Sequence, residues 1–216
     1  MSPERFPLHW SPPDALEGRF ARLERLDPAH VEALHAANPT DESHWRYLPY
    51  GPFPDPQVYR LWAEGAAATD DPAFYAVRGA QGWSGVVALM RADREHGVIE
   101  IGNIAFSPGL QRRPAATEAI HLLLDHCFAS GFRRVEWKCN AGNAASRQAA
   151  ERLGFTYEGT FRQHMIVKGR NRDTAWFAIV DDDWPRLREA HQAWLAPDNF
   201  DAEGRQIRRL SEMGAN

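Results

Sequence analysis

At 216 residues the chain is long enough to bury one substantial core, and 44% apolar with 25% charged residues is the balance of a globular domain, not of a disordered or fibrous chain. A net charge of −4 argues against a general nucleic-acid binder; no apolar run approaches the ~20 residues that span a bilayer, and the N-terminal MSPERFPLHWSPP has no signal-peptide core, so a cytoplasmic location is expected. The two cysteines, Cys127 and Cys139, and the nine scattered histidines lack metal-ligand spacing, so buried free thiols and no metal are expected.

Residues 1–16 are proline-rich and read as an extended arm. GRFARLERL at 18–26 alternates as a first strand, and Asp27-Pro28 opens a helix carrying Val31, Leu34 and Ala37. Residues 38–57 hold five prolines and four aromatics, which predicts a long irregular loop. Such loops are functional or mobile, so Trp45, Tyr47, Tyr50 and Phe53 either line an acceptor pocket or anchor the loop to the core. A helix near 56–68 leads to strands at 73–79 and 83–92, joined by a turn at Ala80-Gln81-Gly82.

An apolar strand at 98–106 then runs through a short basic turn into an amphipathic helix. The first N–H groups of a helix have no intrahelical partner and its dipole adds positive charge, so Gln111 to Thr117 suit a pyrophosphate; an ordinary strand, turn and helix would read the same. In the next strand Val135, Trp137 and Cys139 share one face and Arg134, Glu136 and Lys138 the other. Asn143 is the expected N-cap of a helix with an apolar stripe of Ala145, Ala149 and Leu153, stopped by Gly154. Residues 157–167 and 174–180 read as antiparallel strands around a turn at 168–173, and 184–195 as a helix with Pro185 in its first turn. The remainder is a tail, docked through Phe200 and Ile207 or partly disordered.

The turn Gln111-Arg112-Arg113-Pro114-Ala115-Ala116 resembles the acyl-CoA-binding pattern Q/R-x-x-G-x-G/A of GCN5-related N-acetyltransferases, with Pro114 where that family usually has Gly. Proline removes one N–H from the cradle but suits the first turn of a helix. Asn143-x-x-Ser146, followed by Glu151-Arg152-Leu153-Gly154-Phe155 and Tyr157-Glu158-Gly159, looks like the second half of the same core, in the RimJ/RimL-like branch of ribosomal-protein N-terminal acetyltransferases. The resemblance covers about residues 17–181. It implies an α/β (α+β) domain there, a mixed and mostly antiparallel sheet with splayed central strands flanked by helices, between an arm at 1–16 and a C-terminal helix and tail at 182–216.

The same resemblance implies acetyl-CoA as cosubstrate, no metal, and a splay between strands 98–106 and 133–139 opened by a β-bulge, for which Gly102-Asn103 is the expected place. Main-chain groups of Ile104, Ala105 and Phe106 would hold the pantetheine arm. Gln111, Arg112, Arg113, Ala115, Ala116 and Thr117 would hold the phosphates, with Asn140, Asn143 and Ser146 beside them. Ser146 matches the serine that this branch places next to the CoA sulfur and is the expected acid, although a serine at a third helical position also serves as a local backbone partner. Tyr157 is the alternative proton donor. For the base, Glu100 on the central strand competes with His164, and a solvated strand-end glutamate is the plainer reading of Glu100. The branch's proposed basic glutamate falls on Met165 here, a departure from its pattern.

Three functions fit these residues: an acetyl-CoA-dependent N-acetyltransferase acting on a protein α-amine or a small-molecule amine, a non-catalytic CoA-binding or sensing module, and a protein-interaction domain using the aromatic loop. Neither nucleic acid nor membrane is an expected partner, and the resemblance permits a homodimer.

Overall fold

The computed structural model describes residues 8–214. Eight strands and six α-helices follow in the order β1 (Ala15–Glu17), β2 (Arg22–Arg25), α1 (Val31–Ala37), α2 (Glu42–Trp45), α3 (Pro56–Ala67), β3 (Ala73–Gly79), β4 (Gly82–Asp93), β5 (Val98–Phe106), α4 (Pro114–Ala129), β6 (Arg134–Asn140), α5 (Ala144–Arg152), β7 (Thr156–Val167), β8 (Arg170–Val180) and α6 (Trp184–Leu195). They form one mixed sheet in the order β1-β2-β3-β4-β5-β6-β8-β7. Only the β5–β6 pair is parallel.

Period-two alternation gives the sheet two apolar faces. On one, Ile99, Ile101, Val135, Trp137 and Phe177 pack with Ile120, Leu123 and Leu124 of α4 and with Trp184 and Leu187 of α6. On the other, Ala76, Val86, Ala88 and Ala105 meet Leu34 of α1, Tyr59 and Ala63 of α3, and the loop residues Trp45 and Phe53. Strand β4 is buried on both sides over Ser84–Leu89, which is why it reads as a continuous apolar run.

The central strands part where the resemblance places a splay. β5 and β6 pair only over Val98–Glu100 with Arg134–Glu136; beyond that point β6 continues beside β8 to Asn140↔Thr174, while β5 stays with β4. The β6-facing edge of β5 after Glu100 is therefore open. A bulge sits there, because the pair Val86↔Ala105 is followed by Ala88↔Gly102, two steps on β4 against three on β5. Asn103 takes the left-handed conformation at φ +52°, which Asn tolerates better than most residues. At Gly102 a Cβ would come within 2.8 Å of Met90 Sδ and 3.1 Å of Glu100 Oε1, so the bulge also needs a missing side chain.

Several boundaries differ from expectation. The strand foreseen at 18–26 is only β2, and β1 lies at the end of the segment expected as an extended arm; residues 19–21 between them are a turn, because the carboxylate of Glu118 on α4 accepts from the N–H groups of Arg19 (2.9 Å), Phe20 (2.5 Å) and Ala21 (2.6 Å). The β7–β8 turn is only Lys168-Gly169, both at positive φ as a two-residue hairpin requires, so β8 begins at Arg170. Residues 1–7 of the expected arm lie outside the described residues. Its remainder is docked, with Trp10 edge-on to Phe132 at 5.2 Å. The C-terminal tail is anchored by Phe200 and Leu210, while Ile207 is 64% exposed. No helix among the described residues is long and apolar enough to cross a membrane.

Candidate active site

The turn after β5 is built by its own polar groups. Gln111 N–H donates to Ser107 O at 2.9 Å, and its side-chain amide donates to Phe106 O at 2.7 Å, bracing the end of β5. Arg112 is left-handed at φ +59°, Arg113 is the extended N-cap of α4, and Pro114 occupies the first helical position. Both arginines are exposed. Ala115, a first-turn residue, has no intrahelical acceptor by position, whereas Ala116 N–H bonds Arg113 O at 3.1 Å. Thr117 is buried, its hydroxyl accepting from Arg152 at 3.0 Å. The turn thus presents two guanidiniums and a short set of N–H donors, a fit for an anionic pyrophosphate.

The start of α5 lies on the same face. Asn143 Oδ1 caps Ser146 N–H at 3.1 Å, and Asn140 Oδ1 accepts from Gly142 N–H at 2.9 Å, so both asparagines shape this turn. The indole N–H of Trp137 donates to Ser146 Oγ at 3.0 Å. Because that oxygen is already an acceptor, the Ser146 hydroxyl hydrogen is left to point at another group. Beside it is Cys139, whose thiol burial pushes up. Tyr157 sits on β7 with its ring on Phe177 and under the Arg147 guanidinium, and its hydroxyl pairs with Thr160 at 2.8 Å.

The opposite face carries charge. Glu100 is buried at the point of the splay, held by Arg91 at 2.6 Å and Lys138 at 3.0 Å. Lys138 also holds Glu136 at 2.6 Å and lies 4.0 Å from the Trp176 ring centre. Glu136 meets Arg134 at 2.9 Å, and Arg134 grips Glu158. Glu100 is therefore the middle of an ion-pair chain stitched across β4, β5 and β6 instead of a solvated strand end. Farther along, β7 carries two extra residues between Phe161↔Thr174 and Met165↔Arg172. Gln163 is left-handed there and its N–H is fixed by Asp173 at 2.7 Å. This bulge re-aims the next side chain, and His164 Nδ1 lies 3.0 Å from the buried Thr174 hydroxyl, to which Arg172 Nε donates at 3.2 Å.

Residues 38–55 roof this face, fastened at three points. Tyr50 donates to Asn103 O in the β5 bulge at 3.0 Å, Tyr47 to Gly142 O in the β6–α5 turn at 3.2 Å, and Lys168 of the β7–β8 turn to Trp45 O at 3.0 Å. These bonds ring the mouth of the splay. Trp45 and Phe53 are buried in the second core, Phe53 stacked on Tyr59 at 4.2 Å, and they anchor the loop, whereas Tyr47 and Tyr50 reach the mouth. The site thus has two sides: Ser146, Tyr157 and the basic turn on one, and Glu100, His164, Tyr47 and Tyr50 on the other. Sequence reasoning passed over Arg91, Lys138 and Thr174. The alternation of Arg134, Glu136 and Lys138 along a central strand was the available signal, since charges in the middle of a sheet must find partners.

Comparison with known proteins agrees with this geometry. The acetyltransferase (GNAT) domain family matches residues 21–156. The chain is 27% identical over 101 residues to a putative ribosomal N-acetyltransferase, YdaF, of Bacillus subtilis, a match covering 46% of this chain and 55% of that relative, so it spans little more than half of the relative's length. The fold superposes on a GCN5-related N-acetyltransferase from Brucella melitensis with TM-score 0.89 and 46% identity, covering 95% of this chain and 98% of that one. A probable GNAT-family acetyltransferase from Chromobacterium violaceum gives TM-score 0.77 and 42% identity over 82% of this chain and 91% of that one. With a matching family domain over most of its core, an open β5 edge and a basic turn leading into α4, the chain belongs to the GNAT acetyltransferase family.

Proposed function

We propose that this chain transfers an acetyl group from acetyl-CoA to a primary amine, through the gap between β5 and β6. The observation that carries the reading is the open edge of β5 after Glu100, with the basic turn of α4 at its end and Ser146 beside it. Ile104, Ala105 and Phe106 can pair with an extended amide-bearing arm as an added strand would, and Gln111, Arg112, Arg113, Ala115, Ala116 and Thr117 form the anion cradle at the end of that path. Asn140 and Asn143 set the turn beside Ser146. Acetyl-CoA would supply a thioester carbon to which the amine nitrogen bonds as the carbon–sulfur bond breaks and sulfur keeps the electron pair. Ser146 donates its hydroxyl proton on the side of the basic turn, with Tyr157 as a second donor along β7. His164 takes a proton from the amine on the other side, oriented by Thr174. Glu100 supports the acceptor side through Arg91 and Lys138 and relays a proton through water. The walls hold both reactants in line, so proximity supplies most of the rate. The acceptor is a small-molecule amine or a protein α-amine such as that of a ribosomal protein, the class named for the Bacillus relative.

The missing N–H of Pro114 favours a second reading, a CoA-binding module without turnover. Calorimetry with acetyl-CoA, followed by kinetics of Ser146→Ala, separates them. Binding with a kcat lowered about 10²-fold in the variant, and an unchanged acetyl-CoA Kd, is expected for the transferase. Binding with no turnover in the wild type supports the module, and absence of binding removes both.

A further inference from the structure

We propose that the acceptor carries a carboxylate next to its amine, as a free α-amino acid does, and that Arg172 receives it; this rests on the acetyl-transfer reading above. Arg172, Thr174 and Trp176 alternate on one face of β8; Trp176 and Thr174 oppose Lys138 and Asn140 of β6, and Arg172 lies just beyond the last residue of β6. The guanidinium is half-buried and fixed through Nε on a wholly buried threonine hydroxyl at 3.2 Å. Among the described residues no carboxylate forms an ion pair with it. Glu100 is taken by Arg91 at 2.6 Å and Lys138 at 3.0 Å. The adjacent Asp173 turns to Gln163 N–H at 2.7 Å and Asn171 at 2.9 Å.

A half-buried cation without a direct ion pair is costly, and burial lowers the pKa of Arg172 although the charge of Glu100 nearby works against that shift. Its free edge is a planar fork whose geometry matches a carboxylate bidentately. An unmet donor lies on the same face: the buried indole N–H of Trp176 has no partner. Together with the free edge of the guanidinium it suits an acceptor-rich, anionic ligand group. Thr174 also touches His164 at 3.0 Å, so a carboxylate on Arg172 sets a neighbouring amine beside the imidazole. The Phe161 ring, 54% exposed and 4.8 Å from that of Trp176, offers apolar surface for the rest of the ligand.

The test is thiol release from acetyl-CoA with phenylalanine, phenylalaninamide and the peptide amide Ala-Glu-Ala-NH2, on the wild type, Arg172→Gln and Arg172→Lys. The wild type should prefer the free acid over its amide by about tenfold or more in kcat/KM. The acid-to-amide ratio should fall close to one in Arg172→Gln, recover partly in Arg172→Lys, and leave the acetyl-CoA KM unmoved. Equal rates for acid and amide, or a preference that survives Arg172→Gln, would remove the carboxylate site while leaving acetyl transfer intact. An Arg172-dependent preference for the peptide over phenylalanine would overturn the free amino acid as the source. Calorimetry of N-acetylphenylalanine and its amide on the CoA-loaded protein reads the site without turnover. Acid-selective binding lost in Arg172→Gln supports the site even if no amine is acetylated, and indiscriminate binding of both overturns it.

Discussion

At the scale of single residues, the proposed division of labour follows from which hydrogen-bonding valences are already used. Ser146 accepts from Trp137, which leaves its proton to give. His164 is placed by Thr174, and Thr174 is placed by Arg172. His164→Ala is expected to lower kcat about 10²-fold, with partial recovery on adding imidazole; a merely structural histidine would give no such rescue. Thr174→Val is expected to lower kcat about tenfold through loss of orientation, with the acetyl-CoA KM unchanged. Kinetics over a range of acetyl-CoA concentrations check both. His164 could be picked out from the sequence as an ionisable group, but the bulge that turns it onto Thr174 depends on the Gln163–Asp173 contact, which no local pattern announces.

At the scale of elements, long-range polar contacts decide what propensity leaves open. Glu118 on α4 satisfies three N–H groups of the β1–β2 turn, and a Cβ on Gly18 would lie 2.6 Å from its Oε2. Glu118→Ala orphans those donors and should destabilise by about 3 kcal/mol in urea titrations, since each buried unmet donor costs on the order of 1 kcal/mol or more. Lys138 joins β5 to β6 at the point where they part, through Glu100 and Glu136. Lys138→Met leaves two carboxylates competing for fewer cations and should cost about 3–5 kcal/mol; a loss below about 1 kcal/mol would show that the splay does not depend on this clasp.

Periodicity fixed β3, β5 and α6 to the residue, because their apolar faces are set by local alternation or a 3.6-residue stripe. It missed β1 and ran β2 back through the preceding turn, because that turn depends on Glu118, about a hundred residues away. It also overextended the β7–β8 turn, since polar residues on an exposed hairpin look like loop. In the aromatic loop, composition could not separate the anchors Trp45 and Phe53 from Tyr47 and Tyr50, which differ only in where the backbone directs them.

At the scale of the whole molecule, stability is tied to pH through the packing of α6 on the sheet. His191 is wholly buried, bonded to Leu153 O at 3.1 Å, and burial pushes its pKa from 6.5 down to about 4, with His121 and Arg152 adding repulsion. The unfolded chain binds that proton first. The stabilisation is therefore complete above about pH 6.5 and is lost as pH falls toward 4, about 2 kcal/mol of it by about pH 5. His191→Gln should flatten this slope between urea titrations at about pH 7.5 and about pH 5. The basic turn and the capped start of α5 were legible in the sequence because each rests on a short contiguous motif, whereas the splay followed only from the family resemblance. On the proposed acceptor side the sequence offered Tyr47, Tyr50, Glu100 and His164 singly but not their arrangement, because the loop at 38–55, the point of β5 and the β7–β8 hairpin are brought together only by the sheet. The most direct measurement is release of the CoA thiol from acetyl-CoA in the presence and absence of a panel of primary amines. Release that depends on the amine and saturates with it is the expected result; acetyl-CoA that neither binds nor yields thiol with any amine would contradict acetyl transfer across the splay.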